Sequence, residues 1–255
     1  MSKEKEILFR FKTVQTNAIR ILFESLKNIL ADVNFKADIS GLKLTTIDGN
    51  KNAIVNLFLQ SEKFEEYICT DCVNIGVNLL SIFKILKGIK HTDTIAFTIY
   101  KEDEHSIHIE SQNSDKKATI ISKIKLLDMD EKIYNIPDIN FESYITMPST
   151  DFQSYISDLA NISSHIEFRS SSNNLILKAK GDFADQQIRI NETNNEVSNT
   201  DEQFGVFNIK YIQLFTKSTN LCGTVEIYLK TDYPLTILYN VANLGQIKYC
   251  LAPVS

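Results

Sequence analysis

The chain has 255 residues, which is more than one ordinary domain needs and fits two domains of about 100–150 residues. Hydrophobic residues make up 43% and charged residues 23%, as in a protein with a folded core. The sequence contains no run of 18 or more apolar residues, the length that predicts a membrane-spanning helix. We therefore expect no membrane partner. The net charge of -5 taken alone argues against a nucleic-acid-binding protein, because phosphate contact needs Lys and Arg.

The first quarter of the chain predicts a strand at Ile7–Thr13 and an amphipathic helix over Asn17–Ala31, where apolar residues recur at helical spacing. Thr16 or Asn17 is a plausible N-cap of this helix. Three further strands, separated by turns rich in Gly, Asp and Asn, are predicted at Phe35–Ile39, Leu42–Ile47 and Ala53–Leu59.

The same order of one strand, one helix and two or three strands recurs three more times along the chain. The later helices are predicted over Leu79–Lys90, Thr150–Ile162 and Ile209–Ser218, and their N-caps at Asn78, Ser149 and Asn208. The remaining strands are predicted at Val73–Val77, Thr94–Tyr100, Ser106–Glu110, Ala118–Lys125, Phe141–Met147, His165–Arg169, Leu175–Ala179, Gln186–Ile190, Gln203–Phe207, Thr224–Lys230, Leu235–Val241 and Gln246–Ala252.

Two repeats make one domain in which antiparallel sheets bury one face under two helices, so the sequence predicts an α+β fold of two similar domains. We place the first domain at residues 1–124 and the second at residues 141–255. Residues 125–140 are assigned to a connecting loop, because the segment 127–137 within them is acidic and ends in Pro137. Two similar domains in tandem favour a ring that closes by head-to-tail contacts between copies of the chain.

The basic residues concentrate on three of the four predicted helices. Together the four helices carry a net charge of +4, although the third is negative because it holds Asp151 and Asp158. On one helix such residues would be explained more simply as a solvated face. Their repetition against an acidic background favours contact with the DNA backbone, without recognition of bases.

The four cysteines are few and irregularly placed, which is typical of a reducing compartment. Cys69-Thr-Asp-Cys72 has the spacing of half a zinc site or of a redox pair, but nothing completes a site, and we expect reduced thiols, no metal and no cofactor. No Gly-rich phosphate loop, G-x-S-x-G or H-E-x-x-H segment is present, so we do not expect an enzyme. The acidic clusters Glu102–Glu104 and Asp128–Glu131 lie in predicted turns, where a solvated surface is the simpler explanation.

Five segments resemble the proliferating cell nuclear antigen (PCNA) family of DNA sliding clamps, in the same order over essentially the whole chain. They are Gly76–Lys87, Lys125–Asp130 with Ile136-Pro137, Tyr144–Phe152, Tyr211–Lys217 and Tyr249–Pro253. The resemblance implies a homotrimeric ring, with helices lining the hole and sheets outside, that encircles duplex DNA and tethers replication and repair enzymes. A subunit of a heterotrimeric clamp, of checkpoint or archaeal type, is the alternative.

The resemblance also implies two sites by position. The basic residues that face the hole and bind DNA would be Arg20, Lys27, Lys84, Lys87, Lys117, Lys210 and Lys217. The pocket for partner peptides under the connecting loop would comprise Ile47, Ile54, Tyr134, Ile136, Pro137, Phe141, Pro234, Cys250, Ala252 and Pro253. Core packing is the alternative explanation for these apolar residues. The implied partners are DNA polymerase, the clamp loader, flap nuclease and ligase, in the nucleus or, for a virus-encoded chain, in a viral replication compartment.

The chain departs from the family pattern at several positions. Ser154 and Ser157 stand where the family has basic residues on the third helix, and Ile21 replaces a lysine on the first. A tyrosine of the family's pocket is Cys250 here. These departures indicate a divergent member, from a protist or a large virus, with an uneven basic surface.

Overall fold

The computed structural model describes residues 5–113, 118–130, 134, 141, 144–171, 174–191 and 202–254. The chain divides into two compact units. The first has the bounds Met1–Thr46, Asn56–Ile133 and Val241–Gln246, and the second has the bounds Ile47–Val55, Tyr134–Asn240 and Ile247–Ser255. Each unit therefore takes a short segment from the other half of the sequence.

The described residues of the first half of the chain form two α-helices and nine strands. In order they are β1 (Ile7–Thr13), α1 (Thr16–Leu26), β2 (Asp32–Asp38), β3 (Gly41–Ile47), β4 (Ala53–Gln60), β5 (Glu66–Cys69), β6 (Val73–Asn78), α2 (Leu79–Leu86), β7 (Thr94–Tyr100), β8 (Ser106–Asn113) and β9 (Ala118–Lys125). One antiparallel sheet has the strand order β5-β1-β7-β8-β9. The order β4-β3-β2-β6 makes up the other sheet of this unit.

The core of the first unit lies between its helices and its sheets. Phe9 and Phe11 of β1 are buried and alternate with half-buried neighbours, as expected of a strand with one face on the core. The Phe11 ring stacks on Phe97 of β7 at a centroid distance of 4.6 Å, and Phe97 is 6.2 Å from Phe23 of α1. Full burial of each such ring stabilises the fold by about 1.5–3 kcal/mol.

The second half repeats this pattern. In order its elements are β10 (Ile145–Pro148), α3 (Ser149–Ala160), β11 (His165–Ser171), β12 (Asn174–Lys180), β13 (Asp185–Asn191), β14 (Gln203–Asn208), α4 (Ile209–Phe215), β15 (Thr224–Tyr228), β16 (Leu235–Val241) and β17 (Gly245–Leu251). One antiparallel sheet has the order β13-β12-β11-β14, and the strands β10-β15-β16-β17 are neighbours in the other. In the core Phe215 of α4 stacks on Tyr249 of β17 at 4.6 Å.

The predicted α+β fold of strand–helix–strand repeats is confirmed, and each predicted helix and strand has its counterpart. All four helices end before their predicted ends: α1 at Leu26 rather than Ala31, α2 at Leu86 rather than Lys90, α3 at Ala160 rather than Ile162, and α4 at Phe215 rather than Ser218. After α2 the Gly88 and Ile89 amides bond back three residues, because Gly88 lowers helix stability and the turn tightens. The strand β5 was missed, since its four half-buried residues show no alternation.

Two of the four predicted N-caps are confirmed. The side chain of Asn78 accepts from the Ser81 amide and that of Asn208 from the Lys210 amide. The other two predictions were wrong by one or more positions, because Gln15 and Pro148 occupy the N-cap positions of α1 and α3. The Thr16 hydroxyl instead donates to the carbonyl of Asp93, which ties the start of α1 to the turn after α2.

Candidate nucleic-acid interface and partner pocket

The basic side chains of α1 are held in place by neighbours. Arg20 Nη2 donates to Asn17 Oδ1 at 2.8 Å, and Arg20 Nη1 lies 3.7 Å from Glu24 Oε2. Lys27 follows α1 directly and places its Nζ 4.7 Å from the ring centroid of Phe83 on α2. This cation–π contact leaves Lys27 only half-exposed but fixes its charge between the two helices.

Lys84 and Lys87 of the second predicted helix are exposed. Within the described residues neither makes an ion pair, so both charges face solvent. Lys87 is the C-cap residue of α2, where a positive charge also interacts favourably with the helix dipole. The helix buries Leu79, Ile82 and Leu86 on its other face. This division leaves a basic surface on the first unit.

The exposed surfaces of the helices in the second unit differ in charge. Lys210 at the start of α4 and Lys217 in the short 3₁₀ helix Thr216–Leu221 are exposed. On α3 the exposed residues include Ser154, Ser157, Asp151 and Asp158, so its surface is neutral to acidic. Lys117 lies outside the described residues.

The predicted pocket residues that the structure describes all belong to the second unit. Ile47 ends β3, Ile54 lies in β4 and Pro234 precedes β16, and each is half-buried. Ala252 and Pro253 follow β17 and are exposed. Partial exposure distinguishes this apolar group from a closed core.

Cys250 differs from the other pocket residues because its side chain is only 8% exposed. Thr236 Oγ1 donates to its sulfur at 3.4 Å, and burial raises the pKa of the Cys250 thiol. Tyr134 and Phe141 are half-buried, whereas Ile136 and Pro137 lie outside the described residues.

A buried carboxylate organises the turn between Ile47 and Ile54. Asp48 is 5% exposed, and its Oδ1 accepts from the amides of Asn52 and Ala53, both at 2.7 Å. Its Oδ2 accepts from the Tyr211 hydroxyl at 2.8 Å, which connects the turn to α4. Sequence spacing offers no signal for this pair, because 163 residues separate its members.

Two further sets of contacts involve predicted pocket residues of the second unit. The Ala252 amide donates to the Asn52 carbonyl at 3.0 Å, which joins the end of the chain to the turn. The rings of Phe141 and Tyr144 both contact the ring of Tyr228 on β15, with distances between ring centroids of 5.3 and 5.2 Å. Tyr144 is exposed and Tyr228 is half-buried, and neither is among the predicted pocket residues, although aromatic side chains are enriched at binding surfaces.

Each unit also has a strand at the edge of its sheet, and on β9 this edge strand carries exposed apolar residues. Among the described strands, β9 ends the first unit's sheet and β13 ends the second unit's sheet, so each leaves one side without a neighbour. On β9 Ile120 is 63% and Ile121 is 62% exposed. Unpaired edges with apolar side chains favour addition of a strand from another chain.

Over the described ranges, no helix is long and apolar enough to cross a membrane. The same part of the chain contains no group of three or more His, Cys, Asp or Glu side chains that could hold a metal ion. Cys69 Sγ donates to the Asp71 carbonyl, and burial raises the pKa of the Cys69 thiol, which keeps it protonated.

Comparisons with known proteins cover both halves of the chain. Residues 8–133 match the family described as proliferating cell nuclear antigen, N-terminal domain, and residues 135–254 match its C-terminal domain. The chain is also 33% identical over 258 aligned positions to the probable DNA polymerase sliding clamp 1 of Paramecium bursaria Chlorella virus 1. That alignment spans 98% of each protein.

Proposed function

We propose that this chain, which belongs to the proliferating cell nuclear antigen family, is a DNA sliding clamp that encircles duplex DNA and holds a polymerase on it. The observation that carries the proposal is the repeated exposure of lysines on or directly after α2 and α4, in a chain whose net charge is -5. These are Lys84, Lys87, Lys210 and Lys217, and none makes an ion pair within the described residues. Such side chains suit the phosphate backbone, and no sequence preference is expected.

The clamp is a homotrimer in this proposal. The β9 edge of one copy would pair with the β13 edge of the next, covering Ile120 and Ile121. Three copies of the 29.1 kDa chain give about 87 kDa by light scattering. A monomer at micromolar concentration that assembles only with other subunits would instead identify the chain as part of a heterotrimer.

The apolar group around Ile47, Ile54, Pro234 and Pro253 is the proposed docking pocket for partner peptides. Aromatic and aliphatic side chains that fill such a pocket supply most of the affinity at sites of this kind. DNA polymerase, clamp loader, flap nuclease and ligase are the proposed partners, in the nucleus or a viral replication compartment. The chain itself would serve as a tether and not as an enzyme, with domains at 1–124 and 141–255 and a connecting loop at 125–140.

Charge reversal on α2 tests the DNA contact. Replacing Lys84 and Lys87 by Glu should strongly reduce loader-dependent polymerase stimulation and flatten its salt dependence, because phosphate contacts are lost. Replacing Ser154 and Ser157 on α3 by Ala is the matched control and should change little, since these side chains carry no charge. Equal losses in both variants would contradict the assignment of this face.

A further inference from the structure

We propose that an open cleft at the end of α2 binds one phosphate group of the duplex backbone, through Lys90 and His91 together with Arg20 and Lys87. The inference rests on the proposed clamp function and adds Lys90, His91 and Asn17 to the DNA-binding surface. The cleft has a volume of about 390 Å³ and is lined by these residues and Ile89. At roughly 30 Å³ per water, it has room for a phosphate with part of its hydration shell.

The cleft exists because α2 ends early. Had the helix continued to Lys90, the side chains of Lys87 and His91 would lie one above the other along a single helix face. Instead Gly88 and Ile89 tighten the turn, and Lys90 and His91 leave the helix on the side where Arg20 of α1 lies. Cationic side chains from two helices and one turn therefore surround the same space.

A buried carboxylate holds this turn in place. Asp93 is 5% exposed and accepts from Ser111 Oγ at 3.1 Å and from Asn113 Nδ2 at 2.6 Å, both on β8. Its backbone amide donates to the Lys90 carbonyl, and its own carbonyl accepts from the Thr16 hydroxyl of α1. The turn is thus joined to α1 and to the sheet, so little ordering remains to be done when an anion binds.

The charges around the cleft favour an anion. Lys87, Lys90 and His91 are exposed, and Arg20 is oriented by Asn17. Among the described residues, the acidic groups nearby are Glu24, which lies 3.7 Å from Arg20, and Asp93, whose carboxylate is buried against β8. Within this part of the chain the positive charge facing solvent therefore exceeds the negative charge.

The residue of α3 that corresponds to Arg20 is uncharged. Gln153 occupies the fifth position after the N-cap of α3, as Arg20 does after that of α1. Its Nε2 donates to the Thr216 carbonyl at 2.9 Å, which joins α3 to the end of α4. The neutral side chain of Gln153, bonded to a main-chain carbonyl, thus stands where the first unit presents the guanidinium of Arg20. At this position, contacts with DNA phosphates should therefore concentrate on the first unit.

Salt-dependent binding of a linear duplex to the full-length chain tests the proposal. The logarithm of the binding constant falls with the logarithm of salt concentration by about 0.9 for each phosphate neutralised. Replacing Lys90 and His91 together by Ala should lower this slope by about 0.9 and weaken binding several-fold at low salt. Replacing the exposed Lys180 and His105 by Ala is the control for loss of the same two residue types elsewhere on the first and second units, and should leave the slope unchanged.

The ring protons of His91, followed by NMR, show whether the cleft binds the phosphate of duplex DNA or free inorganic phosphate. They should shift on addition of duplex at concentrations where inorganic phosphate has no effect. An unchanged salt slope in the Lys90/His91 variant, with normal duplex binding by the wild type, would overturn the cleft but leave the clamp function standing. Failure of the wild-type chain to bind duplex at all would instead overturn the clamp function. A shift with inorganic phosphate alone would reject the assignment to DNA.

Discussion

Replacing Asp48 by Ala should loosen the turn that carries one side of the proposed peptide pocket. The change removes the acceptor of the buried Ala53 amide, and an unsatisfied buried amide costs about 1–3 kcal/mol. It also removes the bond from Tyr211 to a charged group, which is worth about 1.5–3 kcal/mol. The amides of Asn50 and Asn52 can turn to water, so we expect a loss of about 3 kcal/mol in the free energy of opening this turn.

Hydrogen exchange measures that opening directly. Since 1.4 kcal/mol is a factor of ten, a loss of about 3 kcal/mol should make the amides of Lys51 to Val55 exchange on the order of 100-fold faster. Mass spectrometry of a peptide covering the turn gives the rate. Affinity for a partner peptide should fall in the same variant, because Ile47 and Ile54 flank the turn.

The matched control is Asp182→Ala in the turn between β12 and β13, because Asp182 is exposed and has no hydrogen-bond partner among the described residues. Its exchange rates should stay within about 3-fold of wild type. Exchange in the Asp48→Ala turn within that same range would refute the role assigned to the Asp48 carboxylate.

Three further outcomes are expected. Ile121→Asp should convert the trimer to a monomer in light scattering, because it places a charge at the β9 edge, whereas Ile39→Asp at the exposed β2–β3 turn should not. Pro253→Asp should abolish binding of a clamp-interaction peptide in calorimetry without changing the mass of the assembly; unchanged affinity would show that the pocket lies elsewhere. The Lys43 ammonium, 2.8 Å away, and Ser40 lower the pKa of Asp38 to about 2. Because the carboxyl of an unfolded Asp titrates near 3.9, this stabilisation is present above about pH 4 and is lost towards pH 2. As the pH is lowered from about 4 to 2, the midpoint of urea unfolding should therefore fall more steeply in wild type than in Asp38→Asn.

The repeated fold was predictable because its signals are local. Apolar residues at a spacing of 3.6 or 2 identify helices and half-buried strands wherever they occur, and the predicted bounds of β1, β7, β9 and β16 agree with the structure. Asn78 and Asn208 were predictable as N-caps because each bonds an amide two or three residues away. The candidate basic residues followed from helical periodicity, which places them opposite the apolar stripe, and from the resemblance to the family.

Other features depend on contacts between distant residues. The short strand β5 forms because β1 offers it a partner, with Arg10 bonded to Glu66 at 3.1 Å, and its own sequence shows no strand period. Lys27 is half-buried because its ammonium group contacts the ring of Phe83. Only the packing of α1 on α2 brings these two side chains together. Neither outcome could be read from spacing, because each is set by a side chain on another element.

The sequence by itself determined the number, order and type of the elements and which helices carry positive charge, because periodicity and composition are properties of neighbouring residues. Tertiary structure alone decided how these charges and apolar groups form sites. The early end of α2 and the anchoring of Asp93 on β8 bring Arg20, Lys90 and His91 around one cleft. The bond between Asp48 and Tyr211 places the pocket turn against α4. Buried polar groups must find partners wherever the fold supplies them, and those partners are distant in the chain.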